Sequence, residues 1–221
     1  MDAVYTFCQA QGRGQGGNRW FGGEGKNLAV TFLFEPRFLE ARHLFFLNMA
    51  LSLGVLRHAR SNGEGFSLKW PNDLFWQQRK AGGLLLEASV CAGFVERIRF
   101  GVGLNVNETV FPVSLPRAVS LFMTDGKTRN LEREVRMLSE SVYANYVDFK
   151  ASYAGKTFGK WRQEYLSALL FKDRWRDYVF RGQEIRARIE GVDDYGCLEL
   201  EVADGSFVRA GFKELRYGFD E

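Results

Sequence analysis

The residues best suited to chemistry lie at positions 69–73, which read Lys-Trp-Pro-Asn-Asp. Further along the chain, Lys80 leads into Gly82 and Gly83 and then into an apolar run. Two lysines and a carboxylate that meet at strand ends suit a polyphosphate and its Mg²⁺. Each residue has a simpler explanation, since an aspartate after proline often caps a turn and a hairpin lysine is often a solvated edge charge. The combination therefore carries the prediction.

A glycine-rich stretch at residues 12–17, Gly-Arg-Gly-Gln-Gly-Gly, is the second candidate. Glycines bring backbone N–H groups close to an anion, and Arg13 adds a guanidinium. Trp20, shortly after the stretch, would form an aromatic wall. A flexible surface turn is the simpler alternative. An arginine–glycine segment that binds nucleic acid is a weaker one, because the run is single and no other basic and aromatic patch supports it.

The third candidate is the segment 101–107, Gly-Val-Gly-Leu-Asn-Val-Asn. Gly101 and Gly103 are two residues apart, so in a strand they face the same side and leave room there for a flat ring. Asn105 could pair with an adenine edge. A bulged core strand is the alternative. His43 and His58 lack metal-ligand spacing, and the sequence has no Gly-x-Ser-x-Gly elbow. Positioning and charge stabilisation are therefore favoured over a protein nucleophile.

Hydrophobic periodicity places these motifs on regular elements. It predicts strands at residues 3–7, 27–34, 66–68, 84–89 and 98–106, the last two joined by a turn at 92–93. It predicts helices at residues 38–60, 131–146 and 160–170. After about residue 171, closely spaced short strands and turns indicate a small β-barrel of roughly 50 residues. We therefore predict two domains, 1–171 and 172–221.

The composition is that of a globular protein, with 46% hydrophobic and 26% charged residues. No apolar run approaches the roughly 20 residues of a membrane span, and the first residues do not resemble a signal peptide. Three widely spaced cysteines without a CxxC pair predict reduced thiols, a cytoplasmic location and no structural zinc site. A net charge of +3 is too small to indicate nucleic-acid binding by itself.

Four segments in this order resemble the biotin–protein ligase family: Gly-Arg-Gly-x-x-Gly-x-x-Trp, Lys-Trp-Pro-Asn-Asp, Arg-Lys-x-x-Gly-x-Leu-x-Glu and Gly-x-Gly-x-Asn. The resemblance is detailed from about Val4 to about Asn107 and looser beyond. It implies an α+β fold, with a mixed β-sheet packed with helices and a small C-terminal SH3-like β-barrel. It also implies ATP-dependent activation of biotin to biotinyl-5′-AMP, followed by transfer to a lysine of a biotin carboxyl carrier protein.

The resemblance also implies roles for individual residues. The expected catalytic residues are Lys80 and Arg13. The expected biotin-binding residues are Gln9, Gly12, Arg13, Gly14, Lys80, Gly82 and Gly83. The expected ATP-binding residues are Trp20, Lys69, Asn72, Asp73 and Asn105. Asp73 is also the expected Mg²⁺ ligand.

Family members normally begin with a strand and a helix that carry a Ser-Thr-Asn motif beside the biotin ring, and this sequence begins after that point. Two alternatives therefore stay open: a non-catalytic or truncated paralogue that binds nucleotide or carrier protein, and a lipoate or octanoate ligase-type relative. The expected partner is the biotin carboxyl carrier protein of acetyl-CoA carboxylase or a related carboxylase. We expect no nucleic-acid or membrane partner and no repressor activity, and a homodimer is left open.

Overall fold

The computed structural model describes residues 2–14, 19–22 and 25–218. The strands are β1 Asp2–Thr6, β2 Gln9–Arg13, β3 Arg19–Gly22, β4 Leu28–Phe34, β5 Phe66–Lys69, β6 Asp73–Trp76, β7 Arg79–Cys91, β8 Phe94–Leu104, β9 Arg176–Phe180, β10 Gln183–Val192, β11 Leu198–Val202, β12 Phe207–Ala210 and β13 Leu215–Tyr217. The helices are α1 Leu44–Ser61, α2 Leu121–Asp125, α3 Leu131–Ala154 and α4 Lys160–Ser167. Within these described residues, no helix is long and apolar enough to cross a membrane.

The larger sheet has six strands in the order β1-β4-β8-β7-β6-β5, and neighbouring strands pair antiparallel. Buried and half-buried positions alternate along β4, as expected for a strand with one face on the core. Phe34 at its end stacks on Tyr146 of α3, with 4.4 Å between the ring centroids. The helices therefore cover one face of this sheet and leave the other face for a site.

Helix α1 is buried on most of its surface because it lies between the sheet and the other helices. Gly54 allows α3 to approach closely, since a Cβ there would lie 2.9 Å from the Cα of Val142. The predicted helix at 38–60 begins later than expected, at Leu44, after a 3₁₀ turn at Ala41–His43. The reason is that the preceding backbone pairs with the β7–β8 hairpin, where the N–H of Val95 donates to the carbonyl of Leu39.

The strand predictions hold for β1, β4, β5 and β8, and the turn at residues 92–93 joins β7 to β8 as predicted. Strand β6 was not predicted, and β7 begins at Arg79 instead of Leu84. The added residues of β7 include a lysine and two glycines, which carry no strand pattern. They extend because their backbone pairs with β6 on one side and β8 on the other.

The smaller sheet contains five antiparallel strands in the order β12-β11-β10-β9-β13. It docks on the first sheet through Trp70, whose indole Nε1 donates to the carbonyl of Gly196 at 2.9 Å. The predicted α+β fold with a small C-terminal β-structure is confirmed. The proposed domain boundary near residue 172 falls between α4 and β9 and stays a prediction.

Candidate functional site

A cavity of about 550 Å³ opens on the face of the larger sheet that the helices leave uncovered. Its floor is formed by strands β4, β7 and β8, and its walls by the turn at residues 69–73 and by residues of the β2–β3 hairpin. Residues 212–217 of the smaller sheet complete it from the far side. The first three sequence motifs and the C-terminal part of the chain thus meet at one place.

Lys80 and Asp73 form an ion pair in this cavity, with 2.7 Å between Nζ and Oδ1. Asp73 is the first residue of β6 and Lys80 is the second residue of the adjacent β7, so the hairpin between these strands brings the two side chains together. The lysine side chain is 41% exposed and the aspartate side chain 19% exposed. The pair is therefore formed but remains accessible to a charged ligand.

Lys69 lies directly across from Asp73 in the β5–β6 pairing. Its ammonium nitrogen is 4.7 Å from the ring centroid of Tyr217 and 5.6 Å from that of Phe75. Asn72 lies between these two strands and makes two hydrogen bonds to the backbone of Leu84. Its side-chain Nδ2 donates to the Leu84 carbonyl at 2.5 Å, and its backbone carbonyl accepts from the Leu84 N–H. The turn that carries Lys69 and Asp73 is thereby fixed to β7.

The glycines of β7 and β8 form a flat floor. Gly83 pairs with Gly103, and a Cβ built at Gly103 would lie 2.7 Å from Cζ2 of Trp20. The indole of Trp20 therefore packs directly on Gly103, and its edge lies next to Gly83, where a Cβ would be 3.4 Å from Cζ3. The alternating glycines do leave room for a flat ring, but the ring that the structure shows there is the protein's own Trp20, so the predicted ligand ring stays a prediction. The indole N–H of Trp20 is buried and has no hydrogen-bond partner among the described residues.

The predicted glycine loop is in part a strand. Gly12 and Arg13 belong to β2 and pair with Trp20 and Arg19 of β3, so their backbone is less free than a loop would be. Gly12 is buried, and a Cβ there would lie 2.9 Å from Oε1 of Gln9. Gln9 and Gly14 line the cavity as predicted. The side chain of Arg13 and residues 15–18 lie outside the described part of the chain.

Among the described residues, three that were predicted to belong to the site do not line the cavity: Gly12, Gly82 and Asn105. Gly82 faces the core side of β7, where a Cβ would lie 2.8 Å from the carbonyl oxygen of Gly103. Asn105 is 4% exposed, and its Nδ2 donates to the carbonyls of Val119 at 3.0 Å and Lys80 at 3.4 Å. Asn105 thus holds the start of β7 in place beneath the site, and this geometry does not favour contact with an adenine edge.

The C-terminal contribution to the cavity was not predicted. Phe212, Lys213, Leu215 and Tyr217 all line it. The turn that presents Phe212 and Lys213 is tied by Glu214, which accepts from the N–H of Gly211 at 2.7 Å. The sequence gives no signal that these four residues line the cavity, because they reach it only through the docking of the second sheet on the first.

Tyr165 supports the turn from below. Its hydroxyl donates to the carbonyl of Pro71 at 3.0 Å, and its ring is fully buried. Burial raises the pKa of Tyr165 above its usual range, and the negative charge of Asp73 raises this pKa further. The phenol therefore stays protonated and serves as a hydrogen-bond donor.

Comparison with known proteins gives a consistent result. Residues 3–105 match the model of the biotin/lipoate A/B protein ligase family. Over 211 residues the chain is 26% identical to the bifunctional ligase/repressor BirA of Salmonella typhimurium, covering 90% of this chain and 62% of that protein. Over 108 residues it is 31% identical to BirA of Escherichia coli, covering 48% of this chain and 33% of that protein. The chain thus spans about one third to three fifths of the length of these relatives.

Among solved structures, the fold matches the biotin protein ligase from Aquifex aeolicus in complex with biotin and ATP. The TM-score is 0.79 at 26% sequence identity, and the match covers 97% of this chain and 88% of that one. The resemblance indicated by the sequence motifs is confirmed by all three comparisons.

Proposed function

We propose that this chain is an ATP-dependent biotin ligase, because residues 3–105 match the model of the biotin/lipoate A/B protein ligase family. It activates biotin to biotinyl-5′-AMP and passes the biotinyl group to a lysine of a biotin carboxyl carrier protein. The observation that carries this proposal is the single cavity shared by Lys80, Asp73, Lys69, Trp20 and the glycine floor. The solved relative that binds biotin and ATP has the same fold.

The reaction must bring together two groups that repel each other, a carboxylate and a polyphosphate. In the first step, a carboxylate oxygen of biotin attacks the α-phosphorus of ATP, and the bond from that phosphorus to the bridging oxygen breaks. Pyrophosphate leaves with the electron pair. Cations placed between the two anions offset their repulsion, and a closed site protects the mixed anhydride from water.

Lys80 is suited to the central role because it reaches the cavity from the mouth of β7. We assign its ammonium to the biotin carboxylate and the α-phosphate oxygens. Binding of these anions would draw Lys80 away from Asp73, which would leave that carboxylate for the magnesium of the incoming Mg·ATP. A single carboxylate suffices, because Mg²⁺ commonly uses one or two carboxylates together with substrate phosphates. No group of three metal-binding side chains occurs in the described residues.

We assign the remaining residues by position. Lys69 would contact the polyphosphate, Trp20 would pack near the adenine, and Gln9 with the glycine floor would receive biotin. In the second step, the lysine amine of the carrier attacks the carboxyl carbon of the anhydride. An amide forms, AMP leaves and the amine loses a proton to solvent.

The first test is adenylate formation from biotin and α-labelled ATP, with pyrophosphate exchange as an independent measure. We expect activity in the wild-type chain and a loss of about 10²–10³-fold in Lys80→Ala. Lys150→Ala is the matched control, because Lys150 lies on α3, against the ring of Phe38 and away from the cavity. An active Lys80→Ala variant would refute the role of this lysine.

Parallel reactions with lipoate and octanoate test the related ligase activities. Adenylation of either acid without adenylation of biotin would change the assigned substrate but not the reaction class. Calorimetry with ATP tests the non-catalytic alternative. ATP binding in a chain that makes no adenylate from any of the three acids would support a paralogue that only binds nucleotide.

Transfer is tested with a purified biotin carboxyl carrier domain and detection of protein-bound biotin with streptavidin. We expect labelling that depends on ATP and on the acceptor lysine. We place the reaction in the cytoplasm, a location supported by the three cysteines, Cys8, Cys91 and Cys197, all of which are free.

A further inference from the structure

The ammonium group of Lys69 lies against two aromatic rings from different parts of the chain. Phe75 belongs to β6, next to the turn that carries Asp73, whereas Tyr217 belongs to β13 in the C-terminal sheet. The shorter distance is to Tyr217, at 4.7 Å from Nζ to the ring centroid, compared with 5.6 Å for Phe75. Both distances lie within the range of cation–π attraction.

The ring of Tyr217 is held firmly. It is 3% exposed and packs edge-on against Tyr178 of β9, with 5.1 Å between the centroids. Tyr217 pairs with Tyr178 across the two strands, and the next residue, Gly218, donates its N–H to the carbonyl of Asp177 at 2.9 Å. The ring can therefore serve as a fixed surface for a mobile side chain.

A lysine side chain has four rotatable carbons and samples many positions when nothing directs it. A ring face attracts the ammonium without adding a formal negative charge. Lys69 and Tyr217 both line the cavity. An ammonium placed in this way faces the space in which a polyphosphate would bind.

We propose that Tyr217 is a positioning residue that holds Lys69 toward the polyphosphate of ATP. The C-terminal sheet thereby contributes to nucleotide affinity through the ring face of Tyr217. This inference rests on the proposed function, because it concerns the ATP of that reaction.

The test compares Tyr217→Phe, which keeps the ring, with Tyr217→Leu, which removes it. We expect Tyr217→Phe to resemble the wild type and Tyr217→Leu to raise the KM and Kd for ATP by about fivefold, within the range of a cation–π contact. The Kd for biotin and the kcat of adenylation should stay within about twofold. Phe180→Leu is the control, because Phe180 is an aromatic residue of the same sheet that packs under Arg181 and does not line the cavity.

A double-mutant cycle with Lys69→Met separates positioning from packing. Once the ammonium is absent, Tyr217→Leu should have no further effect on ATP affinity. Equal effects of Tyr217→Leu in both backgrounds, or equal effects of Tyr217→Leu and Phe180→Leu, would overturn the inference.

If Tyr217→Leu does not fold, a fluorinated phenylalanine at position 217 replaces it, since fluorination weakens the negative ring face with little change of shape. We expect ATP affinity to fall as fluorine is added, and a flat series would overturn the inference. The two proposals fail in different ways. A wild-type chain that neither binds ATP nor forms an adenylate would refute both, whereas an active chain that is insensitive to the ring at 217 would refute only this one.

Discussion

The two faces of the larger sheet differ although the same strands build them. Along β4, the side chains of Leu28, Val30 and Phe32 are at most 2% exposed beneath the helices. The residues between them, Ala29 and Thr31, are half-buried and line the cavity. Large apolar side chains therefore occupy one face, and small or polar side chains the other.

Strand β8 shows the same division more sharply. Phe100 points to the helix side and is completely buried, whereas the positions of the same strand that face the cavity are Gly101 and Gly103. Because successive side chains of a strand point to opposite faces, one strand can contribute to the core and to a site independently. Substitutions on the helix face should therefore alter stability, whereas substitutions on the cavity face should alter activity where the new side chain displaces a group that lines the cavity.

The largest expected effect is on the helix face. Phe100→Ala should lower the free energy of unfolding by about 3–5 kcal/mol, because it removes a buried ring and leaves a cavity. Urea denaturation measures this change. Thr31→Ala, on the cavity face of the neighbouring strand, should change the free energy of unfolding by less than about 1 kcal/mol. Similar losses for the two variants would contradict the division between the faces.

The next effect is on the cavity face. Gly103→Ala should reduce adenylation by about 10²-fold, because its Cβ would displace the indole of Trp20 from the floor. Gly101→Ala is a matched control on the same strand and face, since its Cβ would meet no atom closer than 3.7 Å. Both variants should unfold at nearly the wild-type urea concentration.

The comparison between these two glycine variants is decisive for the cavity floor. Equal activities would show that the position of Trp20 is unimportant for the reaction. A large loss of stability in Gly103→Ala would show that the floor also serves the core, and the separation of the two faces would then be wrong.

Much of the fold could be predicted because the period of the apolar residues is clear in the long elements. Strand β4 and helix α3 were found for this reason, although α3 extends to Ala154, beyond the predicted end. Strand β6 escaped prediction because it has four residues and follows a polar turn. The start of α1 was predicted too early. The residues before Leu44 pair instead with the distant β7–β8 hairpin, where the N–H of Val95 donates to the carbonyl of Leu39.

The site could be predicted where its residues are close in sequence. Lys80 and Asp73 share a hairpin, and their convergence follows from local structure. The assignment of both Gly82 and Gly83 to the cavity conflicts with strand periodicity, which allows only one of them to face it. Tyr217 could not be found, because its contact with Lys69 depends on the docking of two sheets.

The smallest expected effect concerns the boundary between the two faces, where Tyr165 of α4 joins the helix layer to Pro71 at the rim of the cavity. Tyr165→Phe should lower the free energy of unfolding at neutral pH by about 0.5–1.5 kcal/mol, since it removes one hydrogen bond. The pKa of Tyr165 is raised in the folded protein, so the fold favours the protonated phenol. This contribution is fully present below pH 10, the usual pKa of an unfolded tyrosine, and is lost as the pH rises from there toward the folded-state pKa.

Urea denaturation of wild type and Tyr165→Phe from pH 7 to pH 11 measures this dependence. The wild type should lose stability more steeply above pH 10 than the variant, and the difference between the two should shrink as the pH rises further. Parallel curves would show that Tyr165 ionises equally in both states, which would contradict its burial. A variant as stable as the wild type at pH 7 would show that the hydrogen bond to Pro71 does not tie the helix layer to the cavity rim, and the two faces would then meet without a specific link at this position.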